Sequence, residues 1–236
     1  MIIGEKMLLY MTYKKLVAIL KKRKQTTANE TTWLGDEKMA QARTLSDKEL
    51  NLLLLYINTR KHAARDRAMV LMTHWAGMRI GEVAATKIGD VLALDGTIKN
   101  EVNLTAAQTK GKHARTVVLA DKLRKELQMY LQQRFDTKQL IAVTYTDAMT
   151  MPLFATQKRA GFNANTACYH FHMLYKAAGL EGASSHSGRR SFLTHLSSKS
   201  VPLKVLMELA GHRQAQTTMK YINVTTDMKR AAVELI

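Results

Sequence analysis

One stretch of this sequence, residues 91–119, is rich in β-forming residues, and helical patterns lie on both sides of it. The segment VLALDGTI contains Asp95-Gly96, a dipeptide typical of hairpin turns, and TVVL at 116–119 has the composition of a strand. Lys110-Gly111-Lys112 supplies a second turn. The pattern predicts a fold that is mostly α with a small three-stranded antiparallel sheet.

The first strong helix signal lies at Ser46–Glu49, which has the S-x-x-E form of a capping box. Apolar residues follow it at helical spacing: Leu50, Leu53, Leu54 and Ile57. Similar patterns predict helices over 64–76, 82–85, 121–135, 163–178, 186–199 and 202–210.

The N-terminal part of the chain has a different character. Residues 4–24 predict an amphipathic helix with a basic end, whereas residues 25–44 are polar and aperiodic, as in a linker. We therefore expect two parts, a short N-terminal helix with its linker over 1–44 and a main domain over 45–236.

The chain carries 36 Lys and Arg against 19 Asp and Glu, a formal net charge of +17. A hydrophobic fraction of 46% excludes a disordered, low-hydrophobicity chain. Such a surplus of positive charge favours a nucleic-acid partner, because binding releases condensed counterions. Ribosomal proteins and membrane-surface binders share this charge balance, so composition does not separate these classes.

Cysteine usage and hydropathy favour a cytoplasmic protein. Cys168, the sole cysteine, cannot form an internal disulfide, and no apolar run is long enough to span a membrane. Lys14 and Lys15 interrupt the N-terminal apolar stretch before any signal-peptide cleavage site. Cys168, His170 and His172 lack a second ligand pair for a tetrahedral site, so no metal is expected.

Five short motifs occur in a telling order. H-x-x-R alone is weak, because it occurs both at His62–Arg65 and at His186–Arg189. In chain order, however, the motifs are GMRIGE at 77–82, TKGK at 109–112, HSGRRSF at 186–192, LAGH at 209–212 and TTMKY at 217–221. From about Leu45 onward the sequence resembles the tyrosine site-specific recombinases, also called the phage integrase family.

The resemblance implies the catalytic-domain fold of that family, with Tyr221 as the nucleophile that attacks DNA. Cutting DNA by transesterification also needs phosphate neutralisation and a proton for the leaving oxygen. Arg79 and Arg189 suit bidentate contact with phosphate oxygens. Lys110 is expected to be the general acid, His186 to accept the tyrosine proton and His212 to donate to the phosphate. No cofactor or ATP is expected, because the phosphotyrosyl bond retains the bond energy.

Two residues depart from the H-x-L-R-H pattern of the family. Gly188 replaces the leucine, which we expect to loosen the start of its helix, and Arg190 replaces the final histidine, which we expect to add a phosphate contact. Glu82 is expected to orient a helix end or an arginine. The 44 residues before Leu45 are too few for the helical core-binding domain of the family. This suggests either a minimal recombinase made essentially of the catalytic domain or one that depends on an accessory protein or a partner recombinase.

The expected activity is site-specific recombination through a 3′-phosphotyrosyl intermediate, leading to integration, excision or inversion. The expected partner is double-stranded DNA with short inverted-repeat sites, bound by a homotetramer. The C-terminal tail then docks on a neighbouring protomer or folds back on its own domain. Two alternatives stay open: a type IB topoisomerase-like strand transferase, and a non-catalytic DNA-binding regulator with this fold.

Overall fold

The computed structural model describes residues 42–156 and 161–236. The predicted helix over 4–24, and all of the predicted linker except its last residues, lie outside the described part. The described helices are α1 (Asp47–Asn58), α2 (Ala63–Trp75), α3 (Ile80–Ala85), α4 (Ile88–Val91), α5 (Asp121–Arg134), α6 (Thr137–Val143), α7 (Ala164–Ala177), α8 (Ser187–Ser198), α9 (Leu203–Ala210), α10 (Ala215–Met219) and α11 (Thr226–Val233). Short 3₁₀ turns occupy Ala106–Gln108 and Asp147–Thr150.

The sheet of the described residues has two strands, β1 (Glu101–Leu104) and β2 (Arg115–Val118). They pair antiparallel, with Glu101 opposite Val118 and Leu104 opposite Arg115. The predicted third strand is not found. The N–H of Lys87 donates to the Asp90 carboxylate at 2.8 Å and starts the helical turn α4, which takes up the residues before Leu92. What is left forms a tight loop with the single bridge Leu92–Ile98.

Helix α2 is the centre of the core and packs against both α5 and α8. Its residues 68–74 are all buried, so it is enclosed on every side rather than along one stripe. Around it, the apolar faces of α1, α5 and α7 supply Leu53, Leu127 and Phe171. Residues at the C-terminal end of α2 and at the start of α8 are therefore held in one rigid unit.

Gly188 allows α8 to lie close against α2. A Cβ atom at this position would overlap the side-chain hydroxyl of Thr73, and it would lie 2.9 Å from Cδ2 of His74. The glycine expected to loosen the start of α8 therefore has a packing role: it permits the close approach that places the next residue, Arg189, beside the end of α2.

His74 lies at this contact, and we expect its burial to make the free energy of unfolding sensitive to acid. Burial lowers the pKa of His74 to about 4, whereas the unfolded chain keeps a value of about 6.5. The unfolded state therefore takes up a proton first as the pH falls, so the stability from neutral His74 is complete above about pH 6.5 and is lost towards pH 4. Urea unfolding should show the wild type losing about 2 kcal/mol more than His74→Gln between about pH 7 and pH 5. Equal losses in the two proteins would refute this assignment.

Candidate active site

Arg189 lies between the ends of two helices. Its side chain is buried, with the residue 1% exposed. Nη1 donates to the carbonyl of Gly77 at 2.6 Å, and Nη2 donates to the carbonyl of Ala210. Gly77 and Gly211 have left-handed φ angles of 62° and 63°, which end α2 and α9 and turn these carbonyls toward the guanidinium. Cations are favoured at such helix C-termini, so the fold prepares this position for a positive charge.

His212 is hydrogen bonded on both ring nitrogens. Nε2 lies 2.8 Å from Nη2 of Arg189, and Nδ1 lies 2.9 Å from the hydroxyl of Thr218 in α10. Because an arginine only donates, Nε2 accepts and the ring proton sits on Nδ1. Burial and the charges of Arg189, Arg79 and Arg115 lower the pKa of His212 to about 3. The imidazole is therefore neutral at physiological pH.

Two further arginines, Arg79 and Arg115, share the carboxylate of Glu82. Arg79 is the N-cap of α3, and its backbone N–H and Nη1 donate to Glu82 at 2.8 and 3.0 Å. Arg115, the first residue of β2, donates to the same carboxylate at 2.6 Å and to the carbonyl of Leu209 at 3.0 Å. Burial alone raises the pKa of Glu82, but hydrogen bonds and charge from Arg115 and Arg79 outweigh it, so the pKa is lowered.

Positive charge is in excess at this place. Burial, and the charges of Arg79 and Arg115, lower the pKa of Arg189, although an arginine keeps its proton at neutral pH. Among the described residues, Nε of Arg189 is buried without a hydrogen-bond partner. Three guanidinium groups thus face one carboxylate, an arrangement that favours an anionic ligand.

The ring of Tyr221 lies over this cluster in the same chain. Its centroid is 5.3 Å from that of His212 and 6.4 Å from that of His186, and the guanidinium carbon of Arg189 lies 5.4 Å from it. The ring also packs beside Leu193 and Leu206. The phenol is therefore placed by contacts from both sides.

His186 and Lys110 form the exposed edge of the site. His186 occupies the position just before the first residue of α8, and Lys110 is exposed on the turn between β1 and β2. Partial burial of His186, followed by the charges of Arg189, Lys110 and Arg79, lowers the pKa of its ring. An unprotonated imidazole at this edge can accept a proton at neutral pH.

The similarity of this chain to known proteins extends over the whole region that carries the site. The phage integrase family matches residues 43–228. The chain belongs to this family. The tyrosine recombinase XerA of Pyrococcus furiosus is 27% identical over 192 residues, which are 81% of this chain and 61% of that protein. XerA of Thermococcus kodakarensis is 30% identical over 193 residues, 81% of this chain and 62% of that protein. The chain spans about three fifths of the length of these relatives.

Solved structures of recombinases share the fold. The crystal structure of XerA recombinase has a TM-score of 0.63 and 23% identity, with 81% of this chain and 64% of that chain covered. XerH bound to palindromic difH substrate, in a post-cleavage complex, has a TM-score of 0.60 and 21% identity, with 87% and 58% covered. The shared architecture is the mostly helical one with a small antiparallel sheet.

In this phage integrase family member, five of the six predicted side chains lie together around the guanidinium of Arg189. The sixth, Lys110, lies close enough for its charge to affect one of them. The five are Arg79, His186, Arg189, His212 and Tyr221. The charge of Lys110 acts on His186. Their chemical roles stay predictions. Glu82 orients an arginine, as expected.

Other residues of the site were not anticipated from the sequence. Arg115 connects Glu82 to the end of α9, and the hydroxyl of Thr218 accepts from Nδ1 of His212. Neither has a clear sequence signal, because an arginine on a short strand and a threonine in a polar run are typical of a protein surface. Arg190, which was expected to contact a phosphate, instead donates to the carbonyl of Lys220 and to the side chain of Asn223.

Cys168, His170 and His172 do not form a cluster of their own. His170 lies 2.9 Å from the carboxylate of Asp66, and Cys168 contacts the hydroxyl of Ser185. Within residues 42–156 and 161–236, no group of His, Cys, Asp and Glu side chains is placed to hold a metal ion. In the same ranges, no helix combines the length and the apolar character needed to cross a membrane.

Proposed function

We propose that this chain is a site-specific DNA recombinase that cuts and rejoins DNA through a 3′-phosphotyrosyl bond to Tyr221. The observation that carries the proposal is the position of the Tyr221 ring, which lies against Arg189 and His212 of the same chain. A nucleophile beside a surplus of buried guanidinium groups is suited to attack on a phosphodiester. Membership of the phage integrase family supports the same reaction.

The steps follow from the chemistry of these groups. Arg79 and Arg189 neutralise the phosphate, and the unpaired Nε of Arg189 offers one charge-assisted donor to it. The phenolic oxygen of Tyr221 forms the new bond to phosphorus, and its proton passes to His186. The bond from phosphorus to the 5′ oxygen breaks, and that oxygen takes a proton from Lys110. Rejoining reverses these steps, so the energy of the phosphodiester bond is conserved without ATP.

The hydrogen bonds of His212 must change before its ring can donate to a phosphate. Its Nε2 accepts from Arg189 in the protein without DNA, with the proton on Nδ1. To donate to a phosphate through Nε2, the ring must carry its proton on Nε2 instead of Nδ1, and Nη2 of Arg189 must move away from Nε2. DNA binding is therefore expected to rearrange the bond between Arg189 and His212.

The partner we propose is double-stranded DNA with short inverted-repeat sites, cut within a homotetramer in the cytoplasm. The relative XerH was crystallised with a palindromic substrate, which supports a symmetric site. Val233, Leu235 and Ile236 of the tail are exposed and apolar, which supports docking on a neighbour. The start of α11 nevertheless lines a groove of about 1030 Å³ with its own α1 and α8, so the fold-back alternative keeps support.

Arg189→Lys should reduce DNA cleavage by about a hundredfold or more, because an ammonium cannot keep the contacts to both carbonyls and to His212 and also present the donor that Nε offers to the phosphate. The measurement is the single-turnover cleavage rate at saturating DNA. Arg124→Lys is the control, since Arg124 also donates to a backbone carbonyl, that of Ile98, but outside the site. If both variants lost activity equally, the special role of Arg189 would be refuted.

The proposed function is tested by trapping the covalent intermediate. Nicked duplexes with randomised inverted repeats lose the short strand after cleavage, so the protein stays attached to DNA in detergent. Mass spectrometry of the attached peptide should place the DNA on Tyr221. Exchange of strands between two duplexes identifies a recombinase, whereas relaxation of a supercoiled plasmid without exchange identifies a topoisomerase. DNA binding without any adduct would indicate the non-catalytic regulator.

A further inference from the structure

Arg190 bridges the two sides of the residue proposed as nucleophile. Arg190 is 6% exposed and follows Arg189 on α8. Its Nη1 donates to the carbonyl of Lys220 at 2.9 Å, and its Nη2 donates to Oδ1 of Asn223 at 2.8 Å. One guanidinium therefore holds the chain immediately before and shortly after Tyr221.

The next turn of α8 holds the same segment. The hydroxyl of Thr194 donates to the carbonyl of Tyr221 at 3.3 Å and accepts from the N–H of Asn223 at 3.0 Å. Residues four apart on a helix lie on one face, so Arg190 and Thr194 act side by side. The side-chain Nδ2 of Asn223 also donates to the hydroxyl of Thr44 at 3.3 Å. We name Arg190, Thr194 and Asn223 the tyrosine clamp.

The ring of Tyr221 is held by side-chain contacts, but among the described residues the backbone of its segment belongs to no long helix or strand. The helix before it, α10, has five residues, and the residues between Tyr221 and α11 form no regular structure. The N–H of Tyr221 donates to the carbonyl of Thr218 at 2.9 Å, which orders one turn but does not tie that turn to α8. A buried guanidinium with two hydrogen bonds is a strong anchor in comparison.

We propose that Arg190 is a positioning residue, which holds Tyr221 in line with the phosphate through the tyrosine clamp. This inference rests on the proposed function of Tyr221 as the nucleophile. The groups that hold Arg189 are the carbonyls of Gly77 and Ala210 and the ring of His212, and none of them belongs to the clamp. Loss of the clamp therefore misplaces the tyrosine and leaves the phosphate-binding groups intact.

The test separates these two effects with a second nucleophile. Arg190→Gln is made in the wild type and in Tyr221→Phe, where added hydrogen peroxide replaces the phenol. Hydroperoxide then forms the bond to phosphorus, and the 5′ oxygen leaves with a proton. We expect Arg190→Gln to slow cleavage by Tyr221 about a hundredfold at saturating DNA, the order of loss for a misplaced reacting group. Cleavage by peroxide in the Tyr221→Phe background should be unchanged.

Three variants serve as controls. Asn223→Asp keeps an acceptor for Arg190 and should retain cleavage, whereas Asn223→Ala should reduce it and substitutes for Arg190→Gln if that variant does not fold. Lys204→Gln removes the same charge from an exposed position on α9 and should behave as the wild type. A parallel fall of tyrosine and peroxide cleavage in Arg190→Gln, or no fall in either, would overturn the proposal.

A measurement without DNA distinguishes failure of the clamp from failure of the proposed function. Hydrogen exchange at the amides of Tyr221 and Asn223 should accelerate in Arg190→Gln, with the amides in the middle of α8 unchanged. If the wild type forms no adduct with any duplex, the proposed function is wrong, and unchanged exchange in Arg190→Gln overturns the clamp separately.

Discussion

Replacing Tyr221 with phenylalanine should abolish the covalent adduct with DNA while DNA binding is retained. The substitution removes only the phenolic oxygen, and the described contacts of the residue with His212 and Arg189 are made by its ring. The ring should therefore stay in place, and the phosphate-binding groups stay with it. Detergent-resistant attachment to a nicked duplex measures the adduct, and electrophoretic mobility measures binding.

Tyr145→Phe is a matched control, because Tyr145 is exposed and lies outside the site. It should form the adduct at the wild-type rate. Persistence of an adduct in Tyr221→Phe would show that another residue is the nucleophile. A protein whose biological activity survived Tyr221→Phe would instead be the DNA-binding regulator that the sequence leaves open.

Long helices with their own capping signals were predictable from sequence. The capping box at Ser46 begins α1, and Asn163 caps α7 where the pattern predicts a helix start. The short helices α4 and α10 were not predicted. Elements of four or five residues depend on tertiary contacts more than on periodicity. The described residues do not form the predicted third strand: Val91 ends α4, and Leu92 and Ile98 are joined across a tight loop by a single bridge.

The candidate site residues were predicted from the order of the motifs, but their arrangement in space was not. Arg189 and Arg190 are neighbours in the sequence, and both were expected to contact phosphate. Successive side chains on a helix point about 100° apart, so Arg189 faces the site while Arg190 faces the tyrosine segment. Similarly, the 33-residue separation between Glu82 and Arg115 has no sequence signature. Only the fold shows that the two are paired.

Glu82→Gln should cost about 3 to 5 kcal/mol of unfolding free energy, the usual penalty for removing one partner of a buried ion pair. The Glu82 side chain is 1% exposed and accepts from both Arg79 and Arg115, so glutamine leaves two guanidinium groups without a counter-charge. Urea unfolding near neutral pH measures the loss. Because the pKa of Glu82 is lowered in the folded protein, its carboxylate contributes full stability above the pKa of the unfolded chain. This contribution is lost as the pH falls, so the difference in stability between the two proteins should shrink in acid.

Glu126→Gln separates this effect from the loss of any carboxylate. Glu126 accepts two bonds of 2.6 Å from Arg67, but it serves one arginine in a more exposed pair away from the site. We expect a smaller cost there, of about 1.5 to 3 kcal/mol, because the hydrogen bonds are charge-assisted but the pair is partly exposed. Equal costs in the two variants would mean that sharing one buried carboxylate between two arginines adds nothing to the stability of the fold. A larger loss of unfolding free energy in Glu82→Gln is the expected result. If this loss becomes smaller when DNA is bound, a phosphate supplies the negative charge that the carboxylate no longer provides, and DNA stabilises the folded variant by binding to it.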